Sequence, residues 1–132
     1  MRLVLDASAA VDAVVVRRDS VLDRMEQADL VAPALIDTEV VSALARLVRA
    51  GRITPAEADR GVTVWLQLPC DRVPTEPLVP IIWSLRDRVR ITDAHYVAVA
   101  RLHHAPILTT DGRLARAPLP DVSVLYVPEE DV

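Results

Sequence analysis

Short, mostly apolar runs alternate along the chain with longer amphipathic segments, and this alternation constrains the fold more than any other feature. Residues 2–5 are a short apolar run that predicts a strand buried on both faces, and residues 106–109 predict another short strand. Residues 35–50 carry apolar side chains at helical spacing. Strands separated by helices long enough to act as crossovers form a mostly parallel sheet. We therefore expect a single α/β domain over residues 1–132, with a central sheet between helices in three layers.

Local signals predict the remaining elements. Thr54, Pro55 and Glu57 have the pattern of an N-cap, a first-turn proline and a capping-box glutamate. Gly51 is suited to end the helix before them, and Thr92 is expected to cap a later one. The acidic residues 128–132 are expected to form a frayed tail. The predicted strands are 2–5, 30–32, 71–74, 106–109 and 122–126, and the predicted helices are 8–16, 19–28, 35–50, 55–68, 76–89 and 93–104.

Composition excludes several classes of function. All 15 basic residues are arginine, so the lysine-dependent P-loop NTPases, Schiff-base enzymes and phosphorelay receivers are excluded. The three glycines do not have the spacing of a dinucleotide-binding motif. Cys70 is the only cysteine, which excludes an intrachain disulfide and argues against a cysteine-based zinc site. The net charge of −4 argues against a non-specific, basic nucleic-acid coat.

The apolar segments also bear on the cell compartment. The opening apolar run ends at Asp6 and is too short to be a signal peptide. No stretch reaches the roughly 18 apolar residues of a membrane span. We therefore expect a cytoplasmic protein that does not interact with a membrane.

Four acidic residues occupy the positions where a parallel α/β sheet binds ligands. Asp6 ends the first predicted strand, Asp111 follows the strand at 106–109, Asp93 opens a helix, and Glu39 lies one turn into another. Taken singly, each acid also suits an ordinary turn, helix start or solvated helix face. Ligands bind beyond the carboxyl ends of the strands, so this edge could gather all four acids. Gathered carboxylates suit Mg²⁺ or Mn²⁺, whose chemistry serves nucleases and phosphatases.

The segments around the acids carry a family resemblance. They read LVLDASA around Asp6, TEVVSALAR around Glu39, ITDAHYVAVA around Asp93 and ILTTDGRL around Asp111. In order and spacing they resemble the four acidic motifs of PIN domains. Together with the chain length, they are similar to VapC-type toxins, the ribonuclease halves of bacterial toxin–antitoxin pairs. The resemblance spans about the whole chain.

The resemblance implies a PIN-like domain that hydrolyses RNA phosphodiester bonds with a metal-activated water. It implies that Asp6, Glu39, Asp93 and Asp111 are both the catalytic acids and the ligands of one or two Mg²⁺ or Mn²⁺ ions. Asp6 and Asp93 are the firmest candidate ligands. Asp111 would hold a second ion or a ligating water, and Glu39 would bind through water or orient the nucleophile.

Residues next to these acids are candidates for supporting roles. Ser8 and Thr110 could donate hydrogen bonds to the acids, although a helix-cap serine and a strand-end threonine explain them equally well. Arg113 and Arg116 follow the last acid and are candidate RNA phosphate contacts, although solvated or ion-paired arginines are common.

The apolar helices suggest partners. Helices rich in alanine, valine and leucine leave apolar surface that a small domain does not bury alone. Trp65 and Trp83 are expected in the core or at a partner interface. The resemblance implies a homodimer bound by a small antitoxin protein.

Two alternatives remain open. A metal-dependent phosphatase of the haloacid dehalogenase type also begins with an aspartate after the first strand. It needs a second aspartate where this chain has Ser8, and it needs a lysine that this chain lacks. The other alternative is a non-catalytic PIN-like module that binds RNA or protein, and the intact set of four acids argues against it.

Overall fold

A five-stranded parallel sheet flanked by helices organises the computed structural model, which describes residues 1–129. The C-terminal part of the predicted tail, residues 130–132, lies outside the described residues. The strands are β1 (Arg2–Leu5), β2 (Asp29–Pro33), β3 (Asp71–Val73), β4 (Ile107–Thr109) and β5 (Val124–Tyr126). The helices are α1 (Ala7–Val11), α2 (Asp19–Glu26), α3 (Ile36–Arg49), α4 (Pro55–Gln67), α5 (Val79–Ser84), α6 (Ile91–His103) and α7 (Gly112–Ala115), with a π-helical turn at Asp12–Val16 and a 3₁₀ turn at Glu76–Leu78.

The order of the strands creates a natural ligand-binding edge. The sheet order is β3-β2-β1-β4-β5, and every neighbouring pair is parallel. The chain builds outward from β1 through β2 to β3, and then returns to the other side of β1 with β4. The direction of winding therefore reverses between β1 and β4, and a doubly wound sheet binds ligands at such a reversal. The predicted α/β fold is confirmed.

The core is built of small aliphatic side chains. Leu3, Val4 and Leu5 of β1 are buried, as expected for a central strand covered on both faces. Helix α6 packs against β1, β2 and β4, and its residues from Tyr96 to Ala100 are all buried. Alanine and valine at these positions let the helix approach the sheet closely. In residues 1–129 no helix has both the length and the apolar character that crossing a membrane requires.

The expected capping signals have two outcomes. The capping box is confirmed, because Thr54 and Glu57 exchange side chain to backbone hydrogen bonds at the start of α4. Gly51 has the left-handed backbone angle, φ +71°, that follows a helix end. The expected cap at Thr92 is wrong, since α6 begins at Ile91 with Arg90 as its N-cap.

The single helix predicted over residues 76–89 is also wrong. A 3₁₀ turn precedes α5, which ends at Ser84. Pro80 has no N–H and would clash with the carbonyl four residues before it, so a helix accepts it only in its first turn, and Pro80 is the second residue of α5. After Ser84 the backbone N–H groups of Leu85 and Arg86 donate to carbonyls only three residues back, those of Ile82 and Trp83. These tighter turns take the chain out of the helix. Residues 85–90 therefore form an irregular loop.

The side chain of Asp37 links three elements. Its carboxylate accepts a hydrogen bond from Trp65 Nε1 of α4 at 2.9 Å and one from Arg72 Nη2 of β3 at 2.8 Å. The Arg72 guanidinium, with a smaller contribution from Trp65, holds the pKa of Asp37 below its ordinary value. Both tryptophans were expected in the core or at a partner interface. Trp65 is buried in the core, whereas Trp83 is 63% exposed and therefore not part of the core.

A buried ion pair between Asp12 and Arg18 lies at the end of the segment predicted as a helix over 8–16. That segment is α1 followed by the π-helical turn, which ends at Arg17 in a left-handed conformation. Asp12 Oδ2 lies 2.7 Å from Arg18 Nε, and both side chains are largely buried. Arg18 also donates to the backbone carbonyl of Pro128. The pair thus fastens the π-helical turn to the C-terminal segment.

The buried pair makes Asp12 a sensitive position. We expect Asp12→Ala to lower the free energy of unfolding by about 3 kcal/mol, because it leaves the Arg18 guanidinium buried without its partner. Urea denaturation followed by circular dichroism measures the loss. The exposed Asp19→Ala is the control, with an expected change within about 0.5 kcal/mol. Equal effects of the two substitutions would contradict the structural role of the pair.

Candidate active site

The carboxylate of Asp6 lies at the point where the sheet reverses its winding. Strand β1 ends at Leu5, and the backbone N–H of Asp6 donates to the carbonyl of Leu108 in β4 at 3.0 Å. The carboxylate is buried. Its Oδ2 atom accepts hydrogen bonds from Ser8 Oγ at 2.6 Å and from Thr109 Oγ1 at 2.7 Å.

The surroundings of Asp6 disfavour its negative charge. Burial raises its pKa above the ordinary value, and the hydrogen bonds from Ser8 and Thr109 lower it in part. The negative charges of Glu39 and Asp93 raise it further. Helices α3 and α6 therefore bring two more carboxylates close enough to repel Asp6. This edge of the sheet is a concentration of negative charge.

Glu39 is positioned by a buried tyrosine. Tyr96 of α6 is fully buried, and its hydroxyl donates to Glu39 Oε1 at 2.6 Å. Burial, followed by the hydrogen bond to Glu39, raises the pKa of Tyr96. The phenol therefore stays protonated and acts as a donor. It ties α6 to α3 across the site.

The other two acids face arginines. Asp93 Oδ2 lies 3.3 Å from Arg90 Nε, and Asp111 Oδ2 lies 2.7 Å from Arg113 Nη2. Asp111 also caps α7, because its Oδ1 accepts the backbone N–H of Arg113 at 2.9 Å. With these pairs formed, no three histidine, cysteine, aspartate or glutamate side chains of residues 1–129 gather into a ready-made metal site.

The donor chemistry of the site nevertheless fits a divalent cation. Asp6, Glu39 and Asp93 offer hard carboxylate oxygens, and the charges of Glu39 and Asp93 act on Asp6. None of the ion pairs described within residues 1–129 neutralises Asp6 or Glu39. Mg²⁺ and Mn²⁺ bind through such oxygen ligands, and their positive charge would favour the ionised form of Asp6, which burial and, to a smaller extent, Glu39 and Asp93 disfavour.

Comparison with known proteins assigns the family. Residues 3–119 match the PIN domain. Ribonuclease VapC3 of Mycobacterium tuberculosis is 42% identical over 119 residues, which cover 88% of this chain and 87% of that protein. The chain belongs to the PIN domain family. Ribonuclease VapC9 of the same organism is 32% identical over 127 residues, covering 96% of this chain and 98% of its own length.

A solved structure shows the same fold at low sequence identity. It is the crystal structure of VapBC2 from Rickettsia felis bound to a DNA fragment from its promoter. The TM-score to this PIN domain is 0.72 at 11% identity, with 96% of this chain and 99% of that chain covered. At this identity the likeness supports the fold alone.

The residues expected to support the acids in this PIN domain have mixed outcomes. Ser8 donates to Asp6 as expected, and its Oγ accepts the backbone N–H of Thr110 at 3.0 Å. The threonine side chain that reaches Asp6 belongs to Thr109, not to Thr110. Successive side chains of a strand point to opposite faces, so only one of two adjacent threonines can face Asp6. The sequence signal that could have identified Thr109 as a partner of Asp6 is its position as a polar residue at the end of a buried apolar strand.

The two candidate arginines of this PIN domain also differ. The guanidinium of Arg113 pairs with Asp111, while that of Arg116 lies close to Gly112, beside the hydroxyl of Tyr126. Tyr96 lies one turn beyond Asp93, a position from which its side chain could line the site or pack beneath it, and its hydroxyl contacts Glu39 directly.

The two threonines allow a matched test of the Asp6 environment. Thr109→Val should lower the free energy of unfolding by about 1–2 kcal/mol, because it removes a donor from a buried carboxylate. Thr110 is also buried, so Thr110→Val is the neighbouring control and should cost less. Thermal and urea unfolding of both variants measure the difference. A larger loss for Thr110→Val would contradict the hydrogen bond to Thr109.

The burial of the negative charge of Asp6 is unfavourable, so removing that charge should stabilise the fold. Without divalent metal, Asp6→Asn should raise the free energy of unfolding by about 1 kcal/mol, as is common for unfavourable active-site charges. A raised folded-state pKa means that ionisation destabilises the fold at neutral pH. The gain should therefore shrink as the pH falls toward the ordinary pKa of 3.8. Urea denaturation at pH 7 and pH 4.5 measures it, and a loss of stability at pH 7 would contradict the prediction.

Proposed function

We propose that this PIN domain is a divalent-metal-dependent endoribonuclease toxin of a toxin–antitoxin system. The observation that carries the proposal is the buried Asp6 carboxylate at the winding reversal, on which the negative charges of Glu39 and Asp93 act. The names of the relatives support it, since VapC3 and VapC9 are both ribonucleases. The reaction is hydrolysis of an RNA phosphodiester bond.

The acids have distinct places in this proposal. Asp6, Glu39 and Asp93 would hold a Mg²⁺ or Mn²⁺ ion, and Asp111 would complete the set once Arg113 is drawn away. When bound, such an ion neutralises charge on phosphoryl oxygens and makes water acidic enough to supply a nucleophile at neutral pH.

The residues around the acids hold them in position. Ser8 and Thr109 both donate to the same oxygen of Asp6, which fixes the rotation of the carboxylate and leaves its Oδ1 free of these donors. Tyr96 donates to Oε1 of Glu39 and in this way fixes the rotation of the Glu39 carboxylate. Positioning of this kind keeps metal ligands in a fixed orientation and commonly contributes a factor of roughly 10–100 to metal affinity or activity.

The proposal includes protein partners. The Rickettsia felis complex contains a VapB protein with its VapC, which supports a small antitoxin as the partner of this chain. Large apolar side chains such as Val41, Val79 and Ile91 are exposed, and apolar surface of this kind suits an antitoxin or a homodimer contact. We propose that the chain acts on its RNA substrate in the cytoplasm.

Cleavage of RNA by the purified protein tests the proposal. Wild-type protein with Mg²⁺ or Mn²⁺ should cut members of a panel of structured RNAs, and chelation with EDTA should stop the reaction. Asp93→Asn should lower the rate by about 100-fold or more, because it removes a charged ligand. Asp23→Asn makes the same chemical change on α2 and serves as the matched control, with an expected rate close to wild type.

The outcomes separate the alternatives. Equal cleavage by wild type and Asp93→Asn would exclude the acids as the catalytic group. No cleavage of any RNA in the presence of metal would favour a non-catalytic module that binds RNA or protein. Release of phosphate from small phosphomonoesters, with RNA left intact, would favour a phosphatase.

A further inference from the structure

A cleft lined by arginines opens beside the candidate active site. It has a volume of about 470 Å³ and lies between the loop at residues 85–90 and the region of α7. We refer to it as the arginine cleft. Its charged lining comprises Arg86, Asp87, Arg88, Arg90, Asp93 and Arg113.

The local fold explains why arginines meet there. Leu85 is buried and anchors the start of the loop, while Val89 is half-buried and anchors its end. The arginines at 86, 88 and 90 occupy every second position of the loop and are exposed. Arg86 is further held by a hydrogen bond from its Nη1 to the carbonyl of Trp83 at 3.0 Å. Because α5 ends at Ser84, these arginines lie on a loop and can line one cleft. In a continuous helix they would point to different sides.

The charge of the cleft is opposite to that of the chain. Four arginines and two aspartates give its lining a net charge of +2, whereas the whole chain carries −4. Guanidinium groups make paired hydrogen bonds to phosphate oxygens, and arginine is the residue best suited to that contact. The lining of the cleft is therefore locally positive on an acidic protein, with Arg90 and Arg113 paired to aspartates and Arg86 and Arg88 not in any described ion pair.

We propose that the arginine cleft binds backbone phosphates of single-stranded RNA next to the bond that is cleaved. This inference rests on the proposed ribonuclease function. Asp93 belongs both to the cleft and to the acids around Asp6, so an RNA strand held in the cleft continues directly to those acids. A bound phosphate also competes with Asp111 for Arg113, which lines the cleft.

The exposed Trp83 favours RNA over an acidic peptide as the occupant. The guanidinium carbon of Arg86 lies 4.5 Å from the centre of the Trp83 ring, and the ring is largely exposed. Arg86 thus joins the cleft to an aromatic surface. Nucleobases of single-stranded RNA stack on such surfaces, whereas an acidic peptide has no need of one.

Binding of a labelled oligonucleotide tests the proposal apart from cleavage. The probe is a fluorescein-labelled 12-nucleotide single-stranded RNA, and the protein carries Asp6→Asn so that the probe stays intact. Fluorescence anisotropy measures Kd across a series of salt concentrations. Adding Arg86→Ala and Arg88→Ala should raise Kd about tenfold or more. It should also reduce the slope of log K against log salt by about 1.4, or about 0.7 for each phosphate that an arginine no longer neutralises.

A double variant of equal charge is the control. Arg24→Ala with Arg49→Ala removes the same two charges from exposed positions on α2 and α3, and should change Kd by less than about threefold. Trp83→Leu should raise Kd about fivefold or more, because the bases lose a ring on which to stack. Thermal unfolding of each variant checks that the fold is retained.

The outcomes distinguish this inference from the proposed function. Equal increases in Kd for the two double variants would overturn the cleft as an RNA site. Binding of an oligoglutamate peptide that depends on Arg86 and Arg88, with RNA affinity unchanged, would overturn it in favour of an acidic peptide. If wild type cleaves RNA but Arg86→Ala with Arg88→Ala binds it normally, only the cleft proposal fails. If the cleft binds RNA that wild type does not cleave, only the proposed function fails.

Discussion

At the carboxyl end of the central strand, the carboxylate of Asp6 is almost completely removed from water. A buried charge is unfavourable unless hydrogen bonds or an opposite charge compensate it. Ser8 and Thr109 compensate in part, while Glu39 and Asp93 add repulsion. The rest of the architecture produces this arrangement. The pairing of β1 with β4 brings Thr109 beside Asp6, and α3 and α6 supply the two opposing acids.

The arginines balance this excess of negative charge. Arg90 pairs with Asp93 and Arg113 with Asp111, and both arginines also line the arginine cleft. The same side chains therefore contact the acids and face the space where we propose that RNA phosphates bind. The net charge of −4 excludes a non-specific basic binder. It does not exclude a nuclease, because the positive charge is concentrated where a phosphate is needed.

Sequence reasoning succeeded where the signal was local. The five strands, the capping box at Thr54 and the alternation of strands and helices all depend on neighbouring residues, and all were predicted correctly. It failed at the helix predicted over 76–89, because Pro80 is accepted only in the first turn of an α-helix and the chain turns out of α5 after Ser84. It also placed the start of α6 after Ile91, because a threonine that resembles an N-cap lies inside the first turn.

The sequence by itself determined the α/β class and the order of the four acids along the chain. It also determined the absence of lysine chemistry. The tertiary structure alone decided which groups touch those acids. Thr109 reaches Asp6 across 103 positions of the chain, and Tyr96 reaches Glu39 across 57. The tertiary structure also buried Trp65 and left Trp83 exposed. The physical reason is one of range: strand and helix signals act within a few residues, whereas burial and charge pairing depend on segments that only the folded sheet brings together.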